Sequence, residues 1–303
     1  MRISTKDIFD PAILIRNQAE LMKTQNQISS GRRIISPADD PVGAAEALRL
    51  RQASDLSMQY QSNQQRVLNT LSQAESVLGD VTSVLQEVRT TVIAAGNATL
   101  SDSDRQSMAQ DIAGRLEQLL GSANATNAAG GYLFGGYSDG APPFTRSGGA
   151  IVYNGDQGGR TLQVSESRAI EVSANGSIIF ERIPSAGGTQ SVFTTLQNLV
   201  NLLNAPANPA ALSSGLADAI TNIDNAHDQV LAVRSSMGSR MQEIEGLQNA
   251  VSAMDTMVKG QLSQLEDVDY AAAISTLSRQ QLALEAAQKS YVGVTRLSLF
   301  NLL

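Results

Sequence analysis

Cysteine and tryptophan are absent from the 303-residue chain, and histidine occurs once. Without cysteine there are no disulfides, thiol chemistry or cysteine-based zinc sites, and the redox compartment cannot be read. A lone histidine falls short of the usual zinc ligand count and supplies at most one member of a Ser-His-Asp set. Aromatic residues make up 4% of a chain that is 42% hydrophobic, so its apolar content is aliphatic and alanine, which suits long helices packed side by side. Positive charge is also in deficit, with 22 Lys and Arg against 29 Asp and Glu and a net charge of −7. That balance disfavours nucleic acid and anionic membranes and favours protein partners. No run reaches membrane-spanning length, so membrane insertion is not expected. The opening MRISTKDIFDPAILIRNQ meets Asp7, Asp10 and Arg16 too soon for a signal-peptide core, and a secreted chain with this start needs a non-Sec route.

What is present is helical periodicity. Leu14, Leu21 and Ile28 recur every seven residues, and Gln18 and Gln25 fall at the intervening positions, which predicts a helix over 12–29 with a half-apolar stripe. Gly31 is its expected stop, Asp40 a cap and Pro41 the opening residue of the next helix. From Pro41 to about Ala95 no further proline occurs, and Val67, Leu71, Ala74, Leu78, Val81, Leu85, Val88 and Val92 alternate steps of four and three, as in a coiled coil. Ser101 with Asp104 forms a capping-box pattern for a third helix whose face is Met108, Ile112, Leu116, Leu119 and Ala123.

The composition changes at Gly130. Residues 130–189 are rich in Gly, Ser and β-branched types and contain AIVY, TLQV, AIEV and SIIF, which read as strands. Asn154-Gly155 and Asn175-Gly176 supply expected tight hairpin turns. Helical spacing resumes at Phe193, breaks at Pro206 and Pro209, and runs on to about Leu265; a helix of that length would span about 80 Å. The last segment, 267–299, carries Tyr270, Ile274, Leu277, Gln281, Leu284, Gln288 and Tyr291 at alternating steps. Each exposed Leu or Ile forfeits roughly 1.5–3 kcal/mol relative to burial, so both ends are expected to pair, within the chain or between copies. The expected fold is mainly α: an elongated rod of long antiparallel coiled-coil-like helices from both ends of the chain, with a small inserted β-rich domain. Its expected divisions are 1–40 with 261–303 (terminal helical assembly domain), 41–129 with 190–260 (helical rod) and 130–189 (β insert).

Residue types that suggest chemistry have plainer readings here. His227 stands within a turn of Asp224 and Asp228 and reads as a solvated helix residue. Asp39 and Asp40 precede Pro41 and read as capping residues rather than an acid–base pair. Arg32 and Arg33 are expected to pair with Glu266, Asp267 or Asp269 near the other end. Glycines 130, 131, 135 and 136 lack any phosphate-loop context. No catalytic, metal or cofactor residue is assigned, and an enzyme is not expected.

The chain resembles the bacterial flagellin superfamily in ISSGRRIISPADDPVGAAEALRLR at 28–51, in LEDVDYAAAISTLSRQQLALEAAQKSYVGVTRLSLFNLL at 265–303, and in the opening MRIST. GYLFGGY at 131–137, PPF and YNGD add to it. The missing INTN-like opening and the SLF ending resemble the hook–filament junction branch more than flagellin proper. The resemblance implies a non-enzymatic subunit exported through the flagellar type III channel and assembled in the extracellular flagellum between hook and filament. Its implied partners are further copies in a ring, a hook-side hook-associated protein, flagellin, and a cytosolic export chaperone on 262–303. The implied assembly interface comprises Leu14, Leu21, Ile28, Ile274, Leu277, Leu284, Tyr291, Leu297 and Phe300. A short flagellin forming the filament itself, or a secreted coiled-coil adhesin or effector, are the alternatives.

Overall fold

The computed structural model describes residues 11–205 and 208–300, with side chains described for 12–205 and 208–293. The helices are α1 (Pro11–Ser30), α2 (Pro41–Ala95), α3 (Asp102–Ala123), α4 (Val192–Asn204), α5 (Pro209–Glu266) and α6 (Tyr270–Phe300). Between α3 and α4 lie β1 (Phe144–Ser147), β2 (Ala150–Tyr153), β3 (Thr161–Ser165), β4 (Arg168–Glu171), a π-helical turn (Ser177–Glu181), β5 (Ile183–Ser185) and β6 (Gly188–Gln190). Long helices from both ends of the chain thus frame a small β-rich insert, as the periodicity predicts. The helix break expected at Pro206 lies outside the described residues.

The chain forms two compact units, Met1–Ser57 with Ser252–Leu303, and Met58–Val251; α2 and α5 contribute residues to both. In the second unit, all eight seam residues of α2 from Val67 to Val92 are buried. They share a core with Ile112, Leu116 and Leu119 of α3, Leu196 and Leu199 of α4, and Ile223, Val230 and Met237 of α5. Strict four-and-three spacing gives each helix one apolar face, and facing those faces inward removes them from water. The α3 start is fixed by its capping box: Ser101 Oγ accepts from the Asp104 N–H at 3.2 Å, and the Asp104 carboxylate accepts from the Ser101 N–H at 3.0 Å. Arg234 of α5 reaches Glu75 of α2 at 2.6 Å, and Arg89 reaches Asp224 at 2.6 Å.

The insert consists of three two-stranded antiparallel hairpins, β1–β2, β3–β4 and β5–β6. Neither Asn-Gly pair makes a hairpin turn, contrary to the sequence expectation. The β1–β2 turn falls at Gly148-Gly149, whose φ angles of +59° and +88° suit a tight turn with both central residues left-handed. Asn154 instead continues that ladder, its N–H donating to Pro143 O at 2.7 Å, and Asp156 then ties the chain back by accepting from the N–H groups of Tyr137 and Gly158. SIIF is the π-helical turn rather than a strand, closed by Arg182 N–H donating to Ser177 O at 3.0 Å. That winding brings Phe180 into a buried aromatic cluster, where it packs edge-on against Phe134 and Phe144 and stacks on Phe193. Four of the six phenylalanines meet there, with Tyr153, so the sparse aromatic content is concentrated under the insert.

Side-chain amides hold the insert to the helices. Asn63 and Gln64 of α2 donate to Gln163 O and Val164 O at 2.8 and 2.7 Å, and Asn225 and Gln229 of α5 donate to Pro184 O and Ile178 O. Asn124, at the end of α3, both donates to Phe144 O and accepts from its N–H, each at 2.9 Å.

Candidate assembly site

The first unit contains the paired terminal helices. Helix α1 runs into the corner that also begins α6, so the two lie antiparallel and pack along their length. The contact line on α1 is Leu14, Asn17, Leu21, Thr24 and Ile28, of which Thr24 is buried and the rest half-buried. On α6 it is Ala273, Leu277, Gln280, Leu284 and Ala287, all half-buried. Both follow steps of three and four, as a coiled-coil seam does. The seam is half-polar as the sequence suggests, but its polar members are Asn17, Thr24 and Gln280. Gln18, Gln25, Gln281 and Gln288 are exposed, one residue to the side. Thr24 satisfies its hydroxyl on Glu20 O at 3.1 Å, whereas Gln280 Oε1 is buried without a hydrogen-bond partner.

Among the interface residues expected from sequence, Leu14, Leu21, Ile28, Leu277 and Leu284 lie in this seam. Ile274 is exposed beside it, and Tyr291 is 37% exposed. Leu297 and Phe300 lie outside the residues whose side chains are described.

A polar corner joins the ends. Gly31 O accepts from Val268 N–H at 3.0 Å and Glu266 O accepts from Arg33 N–H at 2.6 Å, which pairs 31–33 with 266–268 in antiparallel fashion. Gly31 has φ +72°, which favours glycine in the turn out of α1, and a side chain there would press on the Tyr270 hydroxyl. The Glu266 side chain is buried; Arg51 Nη2 donates to both its oxygens at 2.6 and 2.7 Å, and Arg32 approaches at 4.0 Å. Arg33 turns instead to Leu265 O at 2.9 Å and to Asp40. Arg32 therefore reaches one of its expected partners, while Arg51 makes the principal contact. The signal for a strong cation was the acid itself: Glu266 sits at the C-terminal end of α5, where the helix dipole disfavours negative charge.

Asp40 Oδ1 accepts from Gly43 N–H at 2.9 Å, capping α2 at Pro41, and Asp269 caps α6 in the same way through Ala272 N–H at 3.0 Å. The Gly43 N–H, with Arg33, holds the Asp40 carboxyl below its ordinary value. Lys23, at 2.8 Å, does the same for Asp39, whose other oxygen accepts from Ser36 N–H. These contacts bind backbone and charge within the corner.

Elsewhere, His227 lies 3.1 Å from the Gln86 amide nitrogen. Among the described residues no group of three or more His, Asp or Glu side chains is placed to hold a metal. No described helix is long and apolar enough to cross a membrane. The cleft between α4 and α5 beside β5–β6, about 350 Å³, is lined by Thr195, Asn198, Asp218 and Asn222 over Leu199 and holds no histidine or basic side chain.

Two helices, α1 and α6, paired antiparallel, tied by a charged corner and separated in sequence by a helical and β-rich middle, define a class of mainly helical protein with paired N- and C-terminal helical regions. The chain belongs to the bacterial flagellin family: residues 12–139 match the bacterial flagellin N-terminal helical region and residues 220–303 the C-terminal helical region. It is 34% identical to flagellar hook-associated protein 3 of Salmonella typhimurium over 317 aligned residues, covering 100% of this chain and 99% of that one. To the flagellin of Bacillus subtilis it is 27% identical, covering 91% and 89%. The crystal structure of flagellar hook-associated protein-3 from Legionella pneumophila shares the fold, with a TM-score of 0.68 at 21% identity, over 71% of this chain and 98% of that one.

Proposed function

We propose that this chain is a structural subunit of the extracellular bacterial flagellum that joins the hook to the filament. The observation that carries this reading is the end-to-end similarity to a hook-associated protein 3, which exceeds the similarity to flagellin in both identity and coverage. In this reading residues 1–40 and 261–303 form the assembly domain. Leu14, Leu21, Ile28, Leu277 and Leu284 hold the terminal helices together, and the assembly interface also includes Ile274, Tyr291, Leu297 and Phe300. Gly31, Asp40 and Pro41 set the turn between α1 and α2. Copies form a ring with a hook-side hook-associated protein on one face and flagellin on the other. Before export, a cytosolic chaperone holds 262–303. The half-polar seam supports such a life, because a pair that buries little apolar surface stays loose until neighbours add a second face.

Deletion of the gene tests the proposal: cells are expected to carry hooks without filaments and to shed flagellin into the medium. Normal filaments on the deleted strain would refute it. The similarity to flagellin supports a second reading, a short filament-forming flagellin, and growth of the purified chain into long tubes would favour that one.

A further inference from the structure

Two of the chain's asparagines are followed by glycine, at Asn154-Gly155 and Asn175-Gly176, and the fold leaves the two pairs in opposite surroundings. Asn154 is exposed just past the end of β2, where an irregular segment leads to β3, and Gly155 is half-buried. The Gly155 N–H has no hydrogen-bond partner among the described residues. The Asn154 side chain donates through its amide nitrogen to Thr145 Oγ1 at 2.6 Å. The second pair is held on both sides. Gly176 is buried and its N–H donates to Phe134 O at 3.0 Å, while Asn175 Oδ1 accepts from Ser177 N–H at 2.9 Å.

We propose that Asn154 is a self-modification site, at which the Gly155 nitrogen displaces the Asn154 side-chain amide and water then leaves aspartate or isoaspartate in its place. A glycine nitrogen is the least hindered of backbone nucleophiles, because no Cβ stands beside it. The Gly155 N–H gives its proton to hydroxide, its nitrogen bonds to Asn154 Cγ, and the Cγ–Nδ2 bond breaks. The leaving nitrogen takes a proton from water, which restores the hydroxide, and departs as ammonia. Water then opens the cyclic imide. Cleavage of the new bond gives aspartate; cleavage of the original peptide bond gives isoaspartate, with a main chain longer by one carbon. The fold selects between the pairs, since Gly176 must first give up a buried hydrogen bond before its nitrogen can attack. The consequence falls on the next residues of the insert. Asp156 Oδ1 accepts from the N–H groups of Tyr137 and Gly158 at 2.9 and 2.7 Å, and the Asp156 N–H donates to Gly135 O at 3.3 Å. A main chain lengthened at 154 carries Asp156 out of this register, so isoaspartate loosens 135–137 from 156–158, slowly and in one direction. The reaction consumes only water and belongs to the insert, independently of what the terminal helices assemble with.

The test incubates the purified full chain at neutral and mildly alkaline pH, folded and in urea, and follows both sites by peptide mass spectrometry with fragmentation that separates aspartate from isoaspartate. In the folded chain Asn154 is expected to convert at least roughly tenfold faster than Asn175, because the Gly176 bond must break before attack there. Its rate should rise with pH. In urea, where neither pair is held, the two rates should come together. Conversion of Asn175 in the folded chain as fast as that of Asn154, an Asn154 that stays unconverted, or a gap of the same size in urea would each overturn the assignment. Asn154→Gln, whose longer side chain closes the ring poorly, is the control for the consequence. Protease cleavage within 154–160 should grow with age in the unaltered chain and not in this variant; equal growth in both would overturn the loosening.

Discussion

The two units are built from the same kind of helix and differ in what those helices bury. In Met58–Val251 the α2 seam is closed on every side by α3, α4, α5 and the insert, and its aromatic cluster is sealed. In the other unit, the buried hydrophobic residues among those described are Ile34, Ala47 and Val258. Large apolar groups such as Ile15, Met22, Ile274 and Leu282 remain more than half exposed there. Burial of one large aliphatic side chain is worth roughly 1.5–3 kcal/mol, so the second unit draws far more stabilisation from its core than the first, which relies more on its polar corner. Regular helical spacing therefore specifies a helix; whether the helix is finished depends on what closes its faces.

The contrast can be broken most strongly from the core. Phe180→Ala removes a ring that touches three others and is expected to destabilise the second unit by about 3–5 kcal/mol in chemical denaturation. Exchange protection of α1 and α6 amides should hardly change; equal loss in both units would show that they fold as one. Arg51→Ala leaves the Glu266 carboxylate buried with only the distant Arg32, at a cost of roughly 1–3 kcal/mol, discounted because Arg51 is itself partly exposed. Limited proteolysis should then cut within 31–40 and 266–269 while the second unit stays intact. Gly31→Ala forces a left-handed residue with a side chain into the same corner, for about 1–2 kcal/mol and the same cleavage pattern in weaker form.

Changing pH gives the smallest and most directional test. Asp39 and Asp40 in the first unit and Asp104 and Asp156 in the second all titrate below the ordinary 3.8. Their contribution is present above that value and lost as the pH falls through the lower folded values, so acid loosens both units. Tyr153 is pushed from 10.0 up to about 12, first by burial and then by Asp156. Its contribution is complete below 10 and lost as the pH rises toward 12. Denaturation midpoints followed over that alkaline range should fall in the second unit, and Tyr153→Phe should flatten the dependence.

The α2 seam could be read from sequence because every fourth and third residue is apolar and only one face satisfies that rule. The terminal helices could not be read so far. Leu14, Leu21 and Ile28 leave either Asn17 or Gln18 as the intervening position, and polarity alone does not choose between them; the structure takes Asn17. On α6 the expected line kept Leu277 and Leu284 but took Ile274, Gln281 and Gln288 where the seam has Ala273, Gln280 and Ala287. In the insert, composition marked the strand-rich region, yet Asn-Gly was a local signal overruled by packing: Phe180 had to reach Phe134, and Asp156 fixed the segment after Asn154. Arg51 and Glu266 are 215 residues apart, a separation at which sequence offers candidates but no pairing.

The side-chain amides that hold the insert have one more consequence. A two-stranded hairpin has open edges, and an open edge is a template on which another chain can add a strand. Asn124 exchanges both bonds with the Phe144 backbone as a neighbouring strand residue would, and Asn63 and Gln64 occupy consecutive carbonyls of β3. Single side chains from these helices thus occupy backbone groups of β1 and β3. With those backbone groups occupied, the insert is a poorer template for an added strand.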